Sequence, residues 1–386
     1  MTGNMLIAHG GGPTSVINSS LRGAIEKARE SRGIWTVYGA RFGVEGMLRD
    51  DIADLGIWGA KQLEGLSSTP ASALGSCRRK LADGDYPRVL ACFEKHNIRA
   101  FLYNGGNDSM DTCLKVHQLA RRAGYRLNVI GIPKTIDNDL LGTDHCPGYG
   151  SAARYAALSA AELAMDAASL PIHVVILEMM GRNAGWITAA TALFKDAMPC
   201  EQLVYLPESP FDRQCFIREV SDAFDQKRGL LVAVSEGLRD AAGRMIGDTG
   251  VTDGFGHIVP GGAAQYLAGL LITETGLKAR AEKPGLLGRV SMAYQSPIDR
   301  DEAYGAGAFA AMSAMQGQSG YMVAIEAERR PAYQSHMRLV PLEGVANAEK
   351  RFPADWIQPE SRGVAPDFME YCLPLIGTRA PDFIRL

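Results

Sequence analysis

Two short segments about thirty positions apart hold residue types suited to moving a phosphoryl group with a metal ion: Asn104-Gly105-Gly106-Asn107-Asp108-Ser109 and Pro133-Lys134-Thr135-Ile136-Asp137-Asn138-Asp139. In the first, a glycine turn ahead of a helical pattern lets backbone N–H groups approach an anion, and the helix dipole favours negative charge there. Asp108 and Ser109 can also cap the helix, but capping does not explain the two preceding glycines, so phosphate or Mg²⁺ contact is the better reading. In the second, Lys134 stands beside two carboxylates. Read as an extended segment, Asp137 and Asp139 point one way and Asn138 the other. Two carboxylates on one side repel unless a cation or a substrate proton relieves them; a hydroxyl awaiting deprotonation and a metal-bound phosphate would supply both. A solvated Asp/Asn turn is the competing explanation, against which stand the lysine and the strand-end position.

Three other places carry weaker signals. Gly10-Gly11-Gly12-Pro13-Thr14 follows the first apolar run and precedes a helix expected from near Ser15. The turn suits an anion, yet tight strand-to-helix turns need glycine anyway. Met180-Gly181-Arg182-Asn183-Ala184-Gly185-Trp186 closes another run, and the planar fork of Arg182 can clamp a phosphate. Glu236 after the run 230–234, and Arg280 and Arg289 on what reads as a connecting stretch, count only in combination.

The elements that must position these residues are short apolar runs at 5–8, 36–38, 100–103, 127–132, 174–178, 202–206 and 230–234, with helical patterns between several of them. Met110, Cys113, Leu114 and His117 repeat at the spacing that lays one helix face on a sheet. Alternating strand and helix predicts the α/β class, with a mostly parallel sheet covered on both faces. Ligands of such sheets sit beyond the carboxyl ends of the strands, where the motifs fall. At 386 residues the chain predicts two domains, with a boundary near Cys146-Pro147-Gly148-Tyr149-Gly150 and an Ala-rich helix over 151–168 opening the second. The proline-rich stretch 331–386 reads as an appended extension.

A net charge of −3 gives no reason to expect nucleic acid or a membrane as partner. Seven scattered cysteines without a Cys-x-x-Cys pair argue against disulfides or zinc and for a reducing compartment. The first run starts too early to leave room for a signal peptide, and the longest nearly apolar stretch, 172–180, is too short to span a bilayer. A soluble, cytoplasmic protein is expected.

Taken in order, the glycine turn, Gly-Gly-x-Asp-Ser, Pro-Lys-Thr-Ile-Asp-Asn-Asp, Met-Gly-Arg-Asn-Ala-Gly-Trp and the Glu-Gly of Ser235-Glu236-Gly237 resemble the phosphofructokinase family over roughly residues 4 to 325. The resemblance implies two Rossmann-like three-layer αβα domains with the active site in the cleft between them. Residues 1–148 with about 290–330 would form the phosphoryl-donor domain and 149–289 the sugar-phosphate domain. It implies a homodimer or homotetramer that completes its sugar-phosphate sites across a subunit interface, and Mg²⁺ as cofactor. By motif, Asp137 is the base for the sugar 1-hydroxyl, with Lys134 and Arg182 also catalytic. Thr135, Asp139, His173, Met180, Gly181, Arg182 and Glu236 would hold fructose 6-phosphate, with Arg280 and Arg289 on its 6-phosphate. Gly11, Arg78, Gly106, Asp108 and Lys134 would line the donor side, and Asp108 would be a metal ligand.

ATP-dependent members resemble one another in having glycine where this chain has Asp108 and Lys134. Asp108 would crowd and repel the α-phosphate of ATP, whereas Lys134 can pair with pyrophosphate, so the resemblance is to the pyrophosphate-dependent branch. The implied reaction forms fructose 1,6-bisphosphate and phosphate, reversibly, in glycolysis or gluconeogenesis. An ATP-dependent or sedoheptulose-7-phosphate-preferring kinase of the same fold, or a non-catalytic sugar-phosphate-binding subunit, are the alternatives. Three positions depart from the family pattern. Asn107 replaces an aspartate that contacts Mg²⁺, His173 an arginine that reaches the neighbouring subunit's sugar phosphate, and Leu286 a histidine of ATP-dependent relatives.

Overall fold

The computed structural model describes residues 2–171, 173–225, 228–248, 250, 262–360 and 362–384; Ile172, the first residue of the apolar stretch 172–180, lies outside them. The chain divides into two compact units, Met1–Ser151 with Arg289–Lys350, and Ala152–Gly288 with Arg351–Leu386. In chain order the main strands are β1 (Gly3–His9), β2 (Ile34–Ala40), β3 (Ile52–Asp54), β4 (Ile98–Gly105), β5 (Asn128–Pro133), β6 (His173–Met179), β7 (Glu201–Tyr205), β8 (Leu230–Ser235), β9 (Lys278–Glu282), β10 (Tyr321–Glu328) and β11 (Gln334–Pro341).

The first unit carries a seven-stranded sheet in the order β11-β10-β5-β4-β1-β2-β3. Its five inner strands are parallel, and β11 and β3 close the edges antiparallel. Alternate residues feed two cores. Met5, Ile7, Ala100, Leu102, Ile130 and Ile132 pack with Leu21, Ile25, Ala306 and Ala310, which lie on the helices Ile17–Arg29 and Pro297–Met315. Leu6, Ala8, Phe101, Tyr103 and Val129 pack on the other face with Val89, Phe93, Met110, Cys113 and Val116. This is why the inner strands read as unbroken apolar runs. Helix Ile17–Arg29 starts two residues later than Ser15. It crosses Pro297–Met315 so closely that a Cβ at Gly307 would stand 1.9 Å from the carbonyl oxygen of Ser20, a contact only glycine permits.

The second unit carries a fully parallel sheet in the order β7-β8-β6-β9. Val174, Ile176, Leu230, Val232 and Val234 meet Leu267 and Leu271 of the helix Ala263–Thr275. The stretch expected as an extension is built into both units. β11 is an edge strand of the first sheet, and in the second unit Phe352, Trp356 and Tyr371 surround Trp186 with ring centroids 5.0, 6.0 and 5.4 Å away. Among the described residues no helix is long and apolar enough to cross a membrane.

Below the β5 loop lies a buried ionic network. His145 meets Asp144 through Nδ1 at 2.9 Å and Glu302 through Nε2 at 2.7 Å. Arg329 grips Asp144 with two donors at 2.9 and 2.7 Å, and the Tyr333 hydroxyl donates to Glu302. Burial alone would lower the His145 pKa; Glu302 and Asp144 override it and raise it to about 9. A folded-state pKa above the unfolded value of about 6.5 means that this stabilisation is complete below pH 6.5 and disappears as pH rises through 9. Urea unfolding should therefore lose on the order of 3 kcal/mol between pH 6.5 and 9.5 from this residue. His145→Gln should flatten that slope; an unchanged slope in the variant would assign the pH dependence elsewhere.

Candidate active site

In the first unit the order β5-β4-β1 places three parallel strands side by side, so the loops after them emerge on one edge. The order reverses between β4 and β1, since later strands add beyond β4 and β2 adds beyond β1. Ligand sites form at such a switch point. The loops are knitted together there. The amide of Gly10 donates to Asn104 O at 2.8 Å, that of Lys134 to Gly105 O at 3.1 Å, and that of Gly11 to Cys77 O at 2.9 Å. Ser76 Oγ donates to Gly11 O at 2.6 Å, which ties the 75–78 segment to the glycine turn.

Three cations border that turn. Lys134 is 3% exposed and its Nζ donates to Gly12 O at 2.7 Å. A Cβ at Gly11, where φ is +75°, would stand 3.3 Å from this ammonium, and a Cβ at Gly12 would stand 2.8 Å from Arg289 Nη1 and 3.7 Å from Arg78 Nη2. Burial first, then repulsion from Arg289, brings the Lys134 ammonium down to about 8, against the opposing pull of Asp139 and Asp137, with Arg78 adding to the repulsion. Arg289 is likewise lowered, by burial and then by Arg78, with Asp137 opposing. Like charges gathered in this way form a site in deficit of negative charge, which a multiply charged anion supplies. Arg289 is thus placed with Gly12, Arg78 and Lys134 in the first unit, whereas its expected companion Arg280 lies on β9 of the second, a strand rather than a connecting stretch.

The 133–139 segment bends rather than running extended. The amide of Asp137 donates to Thr135 Oγ1 at 3.1 Å, and Asn138, fully buried, takes φ +54°, a left-handed conformation that asparagine tolerates better than most residues. Within 131–140 only Asp137 and Asp139 are not buried. Asp139 Oδ2 accepts from Asn107 Nδ2 at 3.1 Å, while Asp139 Oδ1 and Asn107 Oδ1 are buried without a hydrogen-bond partner among the described residues. Two orphaned hard oxygens fit a divalent cation. Asp108, the residue expected to bind metal and to stand over the donor, sits in the first turn of the helix Asn107–Arg122, whose N-cap is Gly106. Its side chain is 74% exposed and pairs with Lys80 at 3.0 Å, because the helical turn directs it outward. Gly106 is not crowded: a Cβ there would meet nothing nearer than 3.6 Å.

In the second unit β6 and β8 are neighbours, so Met180-Gly181-Arg182 and Ser235-Glu236-Gly237 leave one edge together. Ser235 Oγ donates to Gly181 O at 2.6 Å, Glu236 N to Met179 O at 2.9 Å, and Gly181 N to Glu236 Oε1 at 3.4 Å. A Cβ at Gly237 would stand 1.9 Å from Arg182 O, so the Glu-Gly pair is required by the close approach of the arginine turn. Glu236 has its pKa raised by burial. Glu208, which sequence reasoning does not single out, accepts from Gly185 N at 2.8 Å and holds the same turn closed. His173 begins β6 and Arg280 pairs in register with Val175. Six residues of strand, about 20 Å, therefore separate His173 from Met179, and neither His173 nor Arg280 joins Arg182 and Glu236 at the far edge.

The family model described as Phosphofructokinase matches residues 4–328. A protein of Xanthomonas campestris pv. campestris named pyrophosphate–fructose 6-phosphate 1-phosphotransferase is 40% identical, covering 98% of this chain and 93% of its own. One of the same name from Halomonas elongata is also 40% identical, with the same coverage. The crystal structure of a pyrophosphate-dependent phosphofructokinase from Nitrosospira multiformis matches with a TM-score of 0.89 and 37% identity, over 100% of this chain and 94% of that one.

Proposed function

The chain belongs to the phosphofructokinase family, and from that premise we propose that it transfers a phosphoryl group from pyrophosphate to the 1-hydroxyl of fructose 6-phosphate, giving fructose 1,6-bisphosphate and phosphate. The observation that carries the donor assignment is the glycine turn bordered by Lys134, Arg289 and Arg78: Lys134 occupies the space over Gly11 with a buried positive charge suited to a compact polyanion. The names of the similar proteins support the same reading. Asp137, half-buried beside those cations, takes the proton from the sugar hydroxyl as its oxygen attacks phosphorus and the bond to the leaving phosphate breaks. Asn107 Oδ1 and Asp139 Oδ1 would hold Mg²⁺, whose charge offsets that of the phosphoryl oxygens. Met180, Gly181, Arg182 and Glu236 hold the sugar phosphate.

His173 and Arg280, remote from Arg182 along their own sheet, complete the site of a second copy of the chain in a homo-oligomer. The reaction runs both ways, because the anhydride consumed and the ester formed are close in transfer potential, and it serves glycolysis or gluconeogenesis in the cytoplasm. A coupled assay with Mg²⁺ tests the reading. Turnover is expected with pyrophosphate and fructose 6-phosphate, and in reverse with fructose 1,6-bisphosphate and phosphate. Turnover with ATP should be at least about 100-fold slower, since the discrimination rests on contacts with a charged group. Comparable rates with ATP would overturn the donor assignment, and a clear preference for sedoheptulose 7-phosphate would overturn the acceptor.

A further inference from the structure

The bend that carries Asp137 and Asp139 turns at Asn138, and Asn138 does not hold itself. Its side-chain oxygen accepts from the amide of Cys146 at 3.0 Å and from Lys350 Nζ at 3.4 Å. Lys350 lies outside the residues matched by the family model, 4–328, at the end of the segment that follows β11. It touches both the bend and the network below it. Its amide donates to Asp139 O at 2.7 Å, its ammonium donates to Asp144 O at 2.6 Å, and the same ammonium reaches Asn138 Oδ1. One residue earlier, Glu349 bridges antiparallel to Leu140. Asp144 is in turn fixed by Arg329 and His145. Lys350 is therefore the link from a firmly held ionic network to the residue flanked by both carboxylates.

The physical consequence concerns geometry more than stability. The left-handed conformation costs asparagine less than most residues but is not its preferred one, so the contacts of Asn138 help to hold the bend. With the Lys350 ammonium removed, Asp144 O loses a charge-assisted partner and Asn138 Oδ1 loses one of its donors. The bend can then relax toward ordinary backbone conformations, and Asp137 and Asp139 swing with it. We propose that Lys350 is a positioning residue for phosphoryl transfer, holding Asn138 and Asp139 so that the carboxylates of Asp137 and Asp139 keep their places in the site. The proposal rests on the reading of Asp137 as the base. Misplacement of a reacting group by about 1 Å costs up to about 100-fold in rate.

The test is Lys350→Met, which keeps the aliphatic stem, with Lys350→Arg as the charge-retaining comparison. Both are assayed on the full chain with pyrophosphate, fructose 6-phosphate and Mg²⁺ beside the wild type, and followed by hydrogen exchange. For Lys350→Met, kcat is expected to fall about 10- to 100-fold, with KM for both substrates changing much less than kcat, since Lys134, Arg78, Arg289 and Arg182 are untouched. Amide exchange should rise across 135–140 and stay unchanged in β1 and β4. Lys350→Arg should recover a substantial part of kcat. A kcat within twofold of wild type, a rate loss that tracks a lower folded fraction, or unchanged exchange at 135–140 would each overturn the positioning role. If the wild type itself shows no turnover with pyrophosphate, the donor and acceptor reading fails, and hydrogen exchange alone then decides whether Lys350 holds the bend.

Discussion

Replacing Asp137 by alanine should lower kcat by about 10²- to 10⁴-fold, the usual contribution of a positioned general base, while pyrophosphate binds as well as before or better. The second half follows from the charges around the residue. Asp137 and Asp139 both act to raise the Lys134 pKa, and Asp137 does the same for Arg289. Each carboxylate thus neutralises part of the positive field that a polyanionic donor needs. Removing Asp137 takes away the proton acceptor and one negative charge together, so kcat falls while KM for pyrophosphate holds or drops. A residue that merely shaped the turn would behave differently: the fold, KM and kcat would decline together. Steady-state kinetics for Asp137→Ala and Asp137→Asn separate these cases. A kcat within tenfold of wild type in both variants would remove Asp137 as the base.

How far this site was legible in the sequence depends on the range of the interactions that build it. The inner strands announce themselves because both faces are buried, and runs such as 100–103 and 230–234 are apolar without interruption. Met322–Ile325 of β10 carries the same signature. The edge strands β9 and β11 do not: β9 reads Lys-Ala-Arg-Ala-Glu and alternates between exposed and half-buried positions, and β11 alternates in much the same way. The motifs were legible for a similar local reason, since glycine turns at strand ends are written in consecutive residues. Contacts across long stretches of sequence were not. Nothing near Arg289 in sequence announces that it faces Gly12, and nothing near Lys350 announces Asn138. Type and spacing give a residue's neighbours but not the direction in which a helical turn aims it, as with Asp108, which turns toward Lys80. Asn107, which departs from the family pattern, donates to Asp139 across 32 positions of sequence.

Lys134→Met should separate function from stability more sharply than any other single change. The wild-type ammonium is buried, and its pKa of about 8 lies well below the value of about 10.5 it has in an unfolded chain. With the folded pKa depressed, the unfolded chain binds the extra proton between pH 8 and 10.5. Stability therefore rises with pH through that window, and at pH 7 the charged lysine costs the fold on the order of 3 kcal/mol. Methionine fills a similar volume without the charge, and it also relieves Arg289 of a like-charged neighbour. The ligand-free variant should consequently unfold at a higher temperature than wild type at pH 7. Its kcat/KM for pyrophosphate should nevertheless fall about 10²- to 10³-fold, the cost of deleting one buried donor aimed at a charged transferring group, with KM for fructose 6-phosphate little changed. The pH profile gives an independent check. The wild type should lose kcat/KM for pyrophosphate on the alkaline side near pH 8 as Lys134 deprotonates in the free enzyme. That limb should vanish in Lys134→Met while the substrate's own ionisations remain. A variant that is less stable and equally active would refute the assignment, because a lysine kept for packing is missed by the fold and not by the donor. A lysine kept in spite of its cost to the fold is held there by what it binds.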